Sequence, residues 1–144
     1  MEYLIRPLDL SDYDKLMKLW SRSGLAYRPK GRDSREAMAV LFRRMDSGVF
    51  GMFDGEKIIG AVIGSSDGRK GWINRLAIDP DYRGRNLAAY LIREAENFLR
   101  DMGIKVIAAL IEEYNTPSMS VFTKAGYSHD PKIHYFSKRD SWEN

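Results

Sequence analysis

Apolar residues along the chain recur with either a two-residue or a helical period, and the switches between the two predict an ordered series of elements. Tyr3 to Pro7 reads as a short strand closed by its proline. Ser11 stands where an N-cap belongs, with Asp12 and Asp14 in the first turn at the positive end of the helix dipole. Tyr13, Leu16, Met17 and Trp20 follow at helical spacing, and Gly24 supplies a stop. Pro29 and Gly31 break the stretch from Ala26 to Arg32 into a loop. Asp33 and Glu36 have capping-box spacing, ahead of an apolar face of Ala37, Met38, Leu41 and Met45.

Val49–Phe53 and Lys57–Ser65 are apolar runs separated by Asp54-Gly55-Glu56, a hairpin signal. Beyond the polar loop Ser66 to Gly71, Trp72–Ile78 reads as a strand ended by Asp79-Pro80. A long helix is expected over Asn86–Met102, with Leu87, Leu91, Ala95, Phe98 and Met102 on one face and Gly103 at a left-handed cap. Lys105–Ile111 is a nearly continuous apolar run, the kind buried on both faces of a sheet. Thr116-Pro117 gives a cap followed by proline at the first helical position, and Gly126 ends that helix. A last strand is expected over Ile133–Lys138. The order is β-α-α-β-β-β-α-β-α-β, a mixed α/β arrangement with no repeat or linker, read as a single domain over residues 1–144.

Composition narrows the chemistry more than the fold. There is no cysteine, which removes thiol catalysis and thiolate metal sites, and only His129 and His134 could offer imidazoles. No metal is expected. Apolar runs fall short of the ~18 residues of a membrane span, and the N-terminus lacks a signal-peptide pattern. A cytoplasmic address without membrane association follows as the expectation. The net charge of +3 suits an anionic cofactor but lacks the clustering of a nucleic-acid binder.

The most informative unit joins the strand Trp72–Ile78, the turn Asp79–Tyr82 and a helix opening at Arg83–Ala88. A helix N-terminus presents unpaired N–H groups and about half a positive charge, so it attracts a phosphate. Gly84 lets the backbone come close, Asn86 tolerates left-handed dihedrals, and Ala88 leaves room beneath the anion. Arg83 and Arg85 add charge and forked donors. The bland alternative is a solvated Arg-Gly-Arg turn that merely starts a helix. Neither a Walker loop nor a three-glycine dinucleotide fingerprint occurs.

Two motifs together resemble the GNAT superfamily of N-acetyltransferases. The string Leu76-Ala77-Ile78-Asp79-Pro80-Asp81-Tyr82-Arg83-Gly84-Arg85-Asn86-Leu87-Ala88 is similar to the family's donor-site motif. Asn115, followed by Phe122-Thr123-Lys124-Ala125-Gly126-Tyr127, is similar to its later Asn and Tyr-x-Lys-x-Gly-Phe/Tyr ending. The element order agrees along essentially the whole chain. With Asp67-Gly68-Arg69 ahead of the donor strand, the chain looks closest to the YpeA-like branch.

The resemblance implies a mainly antiparallel mixed central sheet flanked by helices, and acetyl-CoA as co-substrate. It implies transfer of the acetyl group to a primary amine, in a small molecule or peptide, by direct attack in a ternary complex. A homodimer is left open. The backbone of Leu76, Ala77 and Ile78 would pair with the pantetheine arm as an added strand. The amides of Arg83, Gly84, Arg85, Asn86, Leu87 and Ala88 would hold the pyrophosphate. Asn115 would contact the pantetheine or the loop beneath it, and Lys124 would reach the cofactor or stand as a solvated helix-end lysine.

Two departures matter. Asn86 replaces the central glycine of the family's cradle, and Phe122 replaces a tyrosine that many members use to protonate the departing thiolate. Tyr127, Tyr135, Ser118, Ser120 or water could fill that role, though a thiol with a pKa of about 8.5 leaves tolerably without help. The base is the larger matter. An amine of lysine-like pKa is neutral in roughly one part in 2,500 at pH 7, a penalty of about 4.6 kcal/mol. The glutamate some relatives use falls at Leu110 here; Glu112, two residues along and so on the same strand face, is the candidate. Its alternative is a plain strand-end carboxylate. The missing acid and glutamate also motivate a second reading, a non-catalytic acyl-CoA-binding sensor on the same fold.

The acceptor would lie against the first two helices and their connection. Tyr27, Arg28, Lys30 and Arg32 make that connection basic and aromatic, either to recognise an acidic acceptor or simply as a mobile, solvated loop.

Overall fold

A five-stranded sheet with helices on both faces organises the computed structural model, which describes residues 2–144. The strands are β1 (Leu4–Pro7), β2 (Ser47–Asp54), β3 (Lys57–Ser66), β4 (Gly71–Ile78) and β5 (Ile107–Ala109), and they lie in chain order across the sheet. The helices are α1 (Tyr13–Arg22), α2 (Arg35–Arg43), α3 (Ala88–Asp101) and α4 (Thr116–Lys124). The first four strands pair antiparallel, β2, β3 and β4 through short connections and β1 with β2 across the segment that carries α1 and α2, and the α3 crossover brings β5 in parallel to β4. The mixed, mainly antiparallel sheet is the architecture the family resemblance implies.

Each face of the sheet buries its own apolar layer. On one side, Leu16, Leu19 and Trp20 of α1 and Met38 of α2 pack on Val49, Ile63 and Ala77. On the other, Leu91, Ile92, Ala95 and Leu99 of α3 and Phe122 of α4 pack on Met52, Val62 and Ile73. The close approach of α3 has a sequence cause. A Cβ at Gly60 would come within 2.9 Å of Leu91 Cδ1 and 3.0 Å of Ile78 Cδ1.

Several local readings are corrected. Ser11 does not cap α1: Asp9 caps a short 3-10 turn over Leu10–Asp12, and that turn runs directly into the helix. Ser34, not Asp33, caps α2, because the Asp33 side chain is drawn into a buried ion pair. The cap of α4 is Asn115, whose side chain accepts from the Ser118 amide, with Pro117 following in the first turn. The long helix starts at Ala88 rather than Asn86, since Asn86 has a positive φ that no right-handed helix contains.

The C-terminal third departs most. The apolar run Lys105–Ile111 contributes only three strand residues, all half-buried, while Val106 and Leu110 are more than half exposed. Residues 133–138 form no strand. Their period-two pattern meets neither a ladder partner nor an apolar layer: Ile133, Tyr135 and Phe136 are exposed. A turn in which Asp130 accepts from the Lys132 amide precedes them.

Candidate active site

The site begins with a disagreement between two strands. β4 and β5 are paired only at Gly71–Ile107, Trp72–Ala108 and Ile73–Ala109. From Asn74 to Ile78, β4 continues against β3 alone, so its other edge carries unpaired backbone groups. A register shift against β3 falls in this stretch: Ile63 lies opposite Asn74, but Ala61 lies opposite Ala77. Arg75 sits in the bulge with φ 55°. Leu76, Ala77 and Ile78 follow it, Ala77 buried and the other two half-buried.

A tight turn carries the chain from this edge to α3. Asp79 is 1% exposed and ends β4. Its carboxylate accepts from the Asp81 amide at 2.9 Å and from two Arg22 nitrogens at 3.1 Å, with Lys57 Nζ at 3.6 Å. The Arg22 hydrogen bonds hold the Asp79 pKa below the usual carboxylate range, against the opposing effect of burial. Tyr82 donates to Asp54 at 2.6 Å, fastening the same turn to the β2–β3 hairpin. Arg83 donates to the carbonyls of Ile78 (3.3 Å) and Ser23 (2.9 Å), which folds the start of the cradle back onto the open strand. Arg85 donates to the Tyr3 hydroxyl at 3.0 Å and lies over the Tyr82 ring.

Between these anchors, Gly84 and Asn86 have φ of 79° and 60°. The amides of Gly84, Arg85, Asn86, Leu87 and Ala88 donate no hydrogen bond to another described residue. A Cβ on Gly84 would meet nothing within 4 Å, so packing alone does not demand glycine there; its dihedral does. Buried Leu87 pins the far side of the loop into the core. Five free amides at the positive end of a four-turn helix fit an anionic diphosphate, and the bare edge of β4 beside them fits an extended amide-bearing chain.

The other candidates lie on the C-terminal side. β5 ends at Ala109, three residues before Glu112, so strand alternation no longer says where Glu112 points. Glu112 is exposed, in the stretch leading to a turn whose Asn115 amide donates to its carbonyl at 2.9 Å. It lines an open cleft of about 940 Å³ along β5, α4 and the C-terminal segment, together with Trp72 and Arg32. Leu76–Ile78 and the cradle do not line that cleft. Asn115 spends its side-chain oxygen on the cap of α4, and Lys124 is exposed in that helix's last turn. Phe122 is buried edge-on to Tyr127, ring centroids 5.0 Å apart. The Tyr127 hydroxyl donates to Glu96 at 2.7 Å. Burial, then that bond, pushes its pKa well above the ordinary tyrosine value, which makes it a poor proton donor.

Sequence reasoning missed Arg75 and misassigned Asp33. The two form a buried ion pair at 2.6 Å that bolts the α1–α2 connection to the β4 bulge. Nothing local announces it, since the partners are 42 residues apart.

The mixed five-stranded sheet flanked by four helices is the architecture of the GNAT class. The profile of the Acetyltransferase (GNAT) family matches residues 13–127, and the chain belongs to that family. An acetyltransferase of Pectobacterium atrosepticum is 30% identical over 123 residues, covering 85% of this chain and 86% of that one. An acetyltransferase of Sodalis glossinidius is 28% identical over 135 residues, 94% of each chain. Among solved structures, the PaiA N-acetyltransferase of Thermoplasma acidophilum in complex with coenzyme A superposes with a TM-score of 0.79 at 20% identity, covering 90% of this chain and 92% of that one. The chain is an acyl-CoA-dependent N-acyltransferase, with acetyl-CoA as co-substrate. No helix among the described residues is long and apolar enough to cross a membrane.

Proposed function

We propose that this chain, working as one domain nearest the YpeA-like branch, moves an acetyl group from acetyl-CoA to a primary amine by direct attack in a ternary complex. One observation carries the reading: five successive amides, Gly84 to Ala88, lack partners among the described residues beside the unpaired edge of β4. Those amides, flanked by Arg83 and Arg85, hold the pyrophosphate. The edge of Leu76, Ala77 and Ile78 holds the pantetheine as a further strand, and Asn115 and Lys124 approach it from α4. Acetyl-CoA supplies the activated acyl carbon. Glu112, in the cleft along β5, takes the amine's proton directly or through water, offsetting the roughly 4.6 kcal/mol of a charged amine.

The first test is affinity. Gly84→Glu puts a carboxylate where the diphosphate would lie, and should weaken acetyl-CoA binding by about 100-fold or more while circular dichroism stays native. Unchanged affinity would sink the cradle. The second is rate. Glu112→Gln should slow CoA release over a panel of amines and change its pH profile; an unaltered profile removes Glu112 from the mechanism. Tight acetyl-CoA binding without turnover on any amine would favour the sensor reading, to which the buried Phe122 and the engaged Tyr127 hydroxyl already speak.

A further inference from the structure

The α1–α2 connection holds more positive charge than its own carboxylates neutralise. Asp33 is 3% exposed and accepts from the Arg28 amide at 2.5 Å and from Arg75 Nη2 at 2.6 Å. Arg75 also donates to the Ala26 carbonyl and lies over the Trp20 ring, 5.0 Å from its centroid. The Tyr13 hydroxyl donates to the Asp33 carbonyl at 2.7 Å. The connection is therefore pinned, not loose. Its other cations have partners: Lys30 faces Glu143 at 3.9 Å, and Arg35 meets Asp14 at 2.8 Å. Arg28 and Arg32 make no ion pair among the described residues. Asp33 thus pairs with the Arg75 guanidinium alone, and the two guanidinium charges of Arg28 and Arg32 are left without a carboxylate partner among the described residues.

Those charges act on one another. Burial lowers the Arg75 pKa most; Asp33 opposes it, and the charges of Arg32 and Arg28 lower it further. Hydrogen bonding is unbalanced in the same direction. Arg28 Nε and Trp20 Nε1 are both buried N–H donors without an acceptor. A buried donor left unpaired is unfavourable, so an acceptor that reaches the Arg28 guanidinium is favoured. Trp20 is sealed beneath Arg75, but Arg28 is half-buried and Arg32 is exposed and lines the cleft that also contains Glu112.

We propose that Arg28 and Arg32, positioned by the Asp33–Arg75 pair, form a carboxylate seat that selects amine acceptors bearing an acidic group. The inference rests on the acetyltransferase reading above and names its substrate class. A guanidinium fork matches the two oxygens of a planar carboxylate, whereas a lysine would supply only a point charge. Arg75 and Asp33 are positioning residues; Arg28 and Arg32 touch the acceptor. The amine of the same molecule lies toward Glu112, so the seat orients the nucleophile as well as choosing it.

The test uses matched acceptors: amino acids against their amides, and short peptides with glutamate against the same peptides with glutamine. CoA release is measured with the native protein, with Arg28→Gln and Arg32→Gln, and with the conservative Arg32→Lys. Carboxylate acceptors should be preferred at least ten-fold in kcat/KM, chiefly through KM. Each glutamine variant should erase most of that preference while still acetylating the amide acceptors, and Arg32→Lys should restore part of it. The preference should also weaken as salt rises. Free amino acids outperforming peptides, or the reverse, identifies the source of the carboxylate. Equal use of acid and amide, or a preference that survives both glutamine variants, overturns the proposal. If nothing is acetylated, calorimetry of the same pairs on CoA-saturated protein decides. Arginine-dependent binding of the acids alone keeps the seat and removes the enzyme; no discrimination removes the seat.

Discussion

The donor half of the molecule and its C-terminal third are built on different terms. From β3 through α3, the cradle is held by ties on several sides: Asp79 by Arg22 and Lys57, Arg83 by the carbonyls of Ile78 and Ser23, and Leu87 by the core. After β5 the chain has few such ties, and Ile133, Tyr135, Phe136 and Trp142 are exposed apolar side chains. Affinity for a cofactor is best served by a cradle that does not rearrange, because ordering it on binding would cost conformational entropy. The contrast shows where this protein has been fixed in advance and where it has not.

Three substitutions probe that contrast. Asp79→Asn strikes the best-anchored point and should lower stability by about 2 kcal/mol at pH 7, read by urea denaturation. The folded-state pKa of Asp79 is depressed, so its contribution is present above the ordinary carboxylate pKa and disappears as pH falls through the lower folded value. Wild type and variant should therefore converge in acid; a gap that stays constant with pH would show that Asp79 acts by packing instead. Asn86→Gly should change stability by no more than about 1 kcal/mol, since the left-handed dihedral costs asparagine little and glycine loses more backbone entropy. Its acetyl-CoA affinity should rise only a few-fold; a much larger gain would mean that the asparagine side chain occupies the anion seat. Phe136→Ser, on the loosely tied side, should alter the melting midpoint least, corresponding to less than about 0.5 kcal/mol. A loss comparable with that of Asp79→Asn would abolish the distinction between the two regions.

The same division governs how much could be read from the chain. The cradle was legible because it is contiguous: a strand, a turn and a helix start written within 13 residues from Leu76 to Ala88, with Gly84 and Asn86 marking the two positive-φ positions. The hairpin at Asp54-Gly55 and the stop at Gly103 were legible for the same local reason. Asp33 was not. Its capping-box spacing described only its neighbours, while its partner Arg75 arrives from another strand across 42 positions. Residues 133–138 failed in the opposite sense. Alternation states which face a strand would bury, yet it cannot supply the edge that strand needs, and β5 offers only three ladder residues. Glu112 was placed by extending a strand that stops at Ala109, so its candidacy now rests on the cleft it lines.

The bulge at Arg75 works as a frame shift. Along an unbroken strand, odd and even positions keep to their own sides of the sheet; here β4 advances three residues, Asn74 to Ala77, while β3 advances two, Ile63 to Ala61. Parity downstream is reversed relative to parity upstream. One inserted position thus lets a single strand be read in two frames, the first serving the ladder with β5 and the second presenting a bare edge.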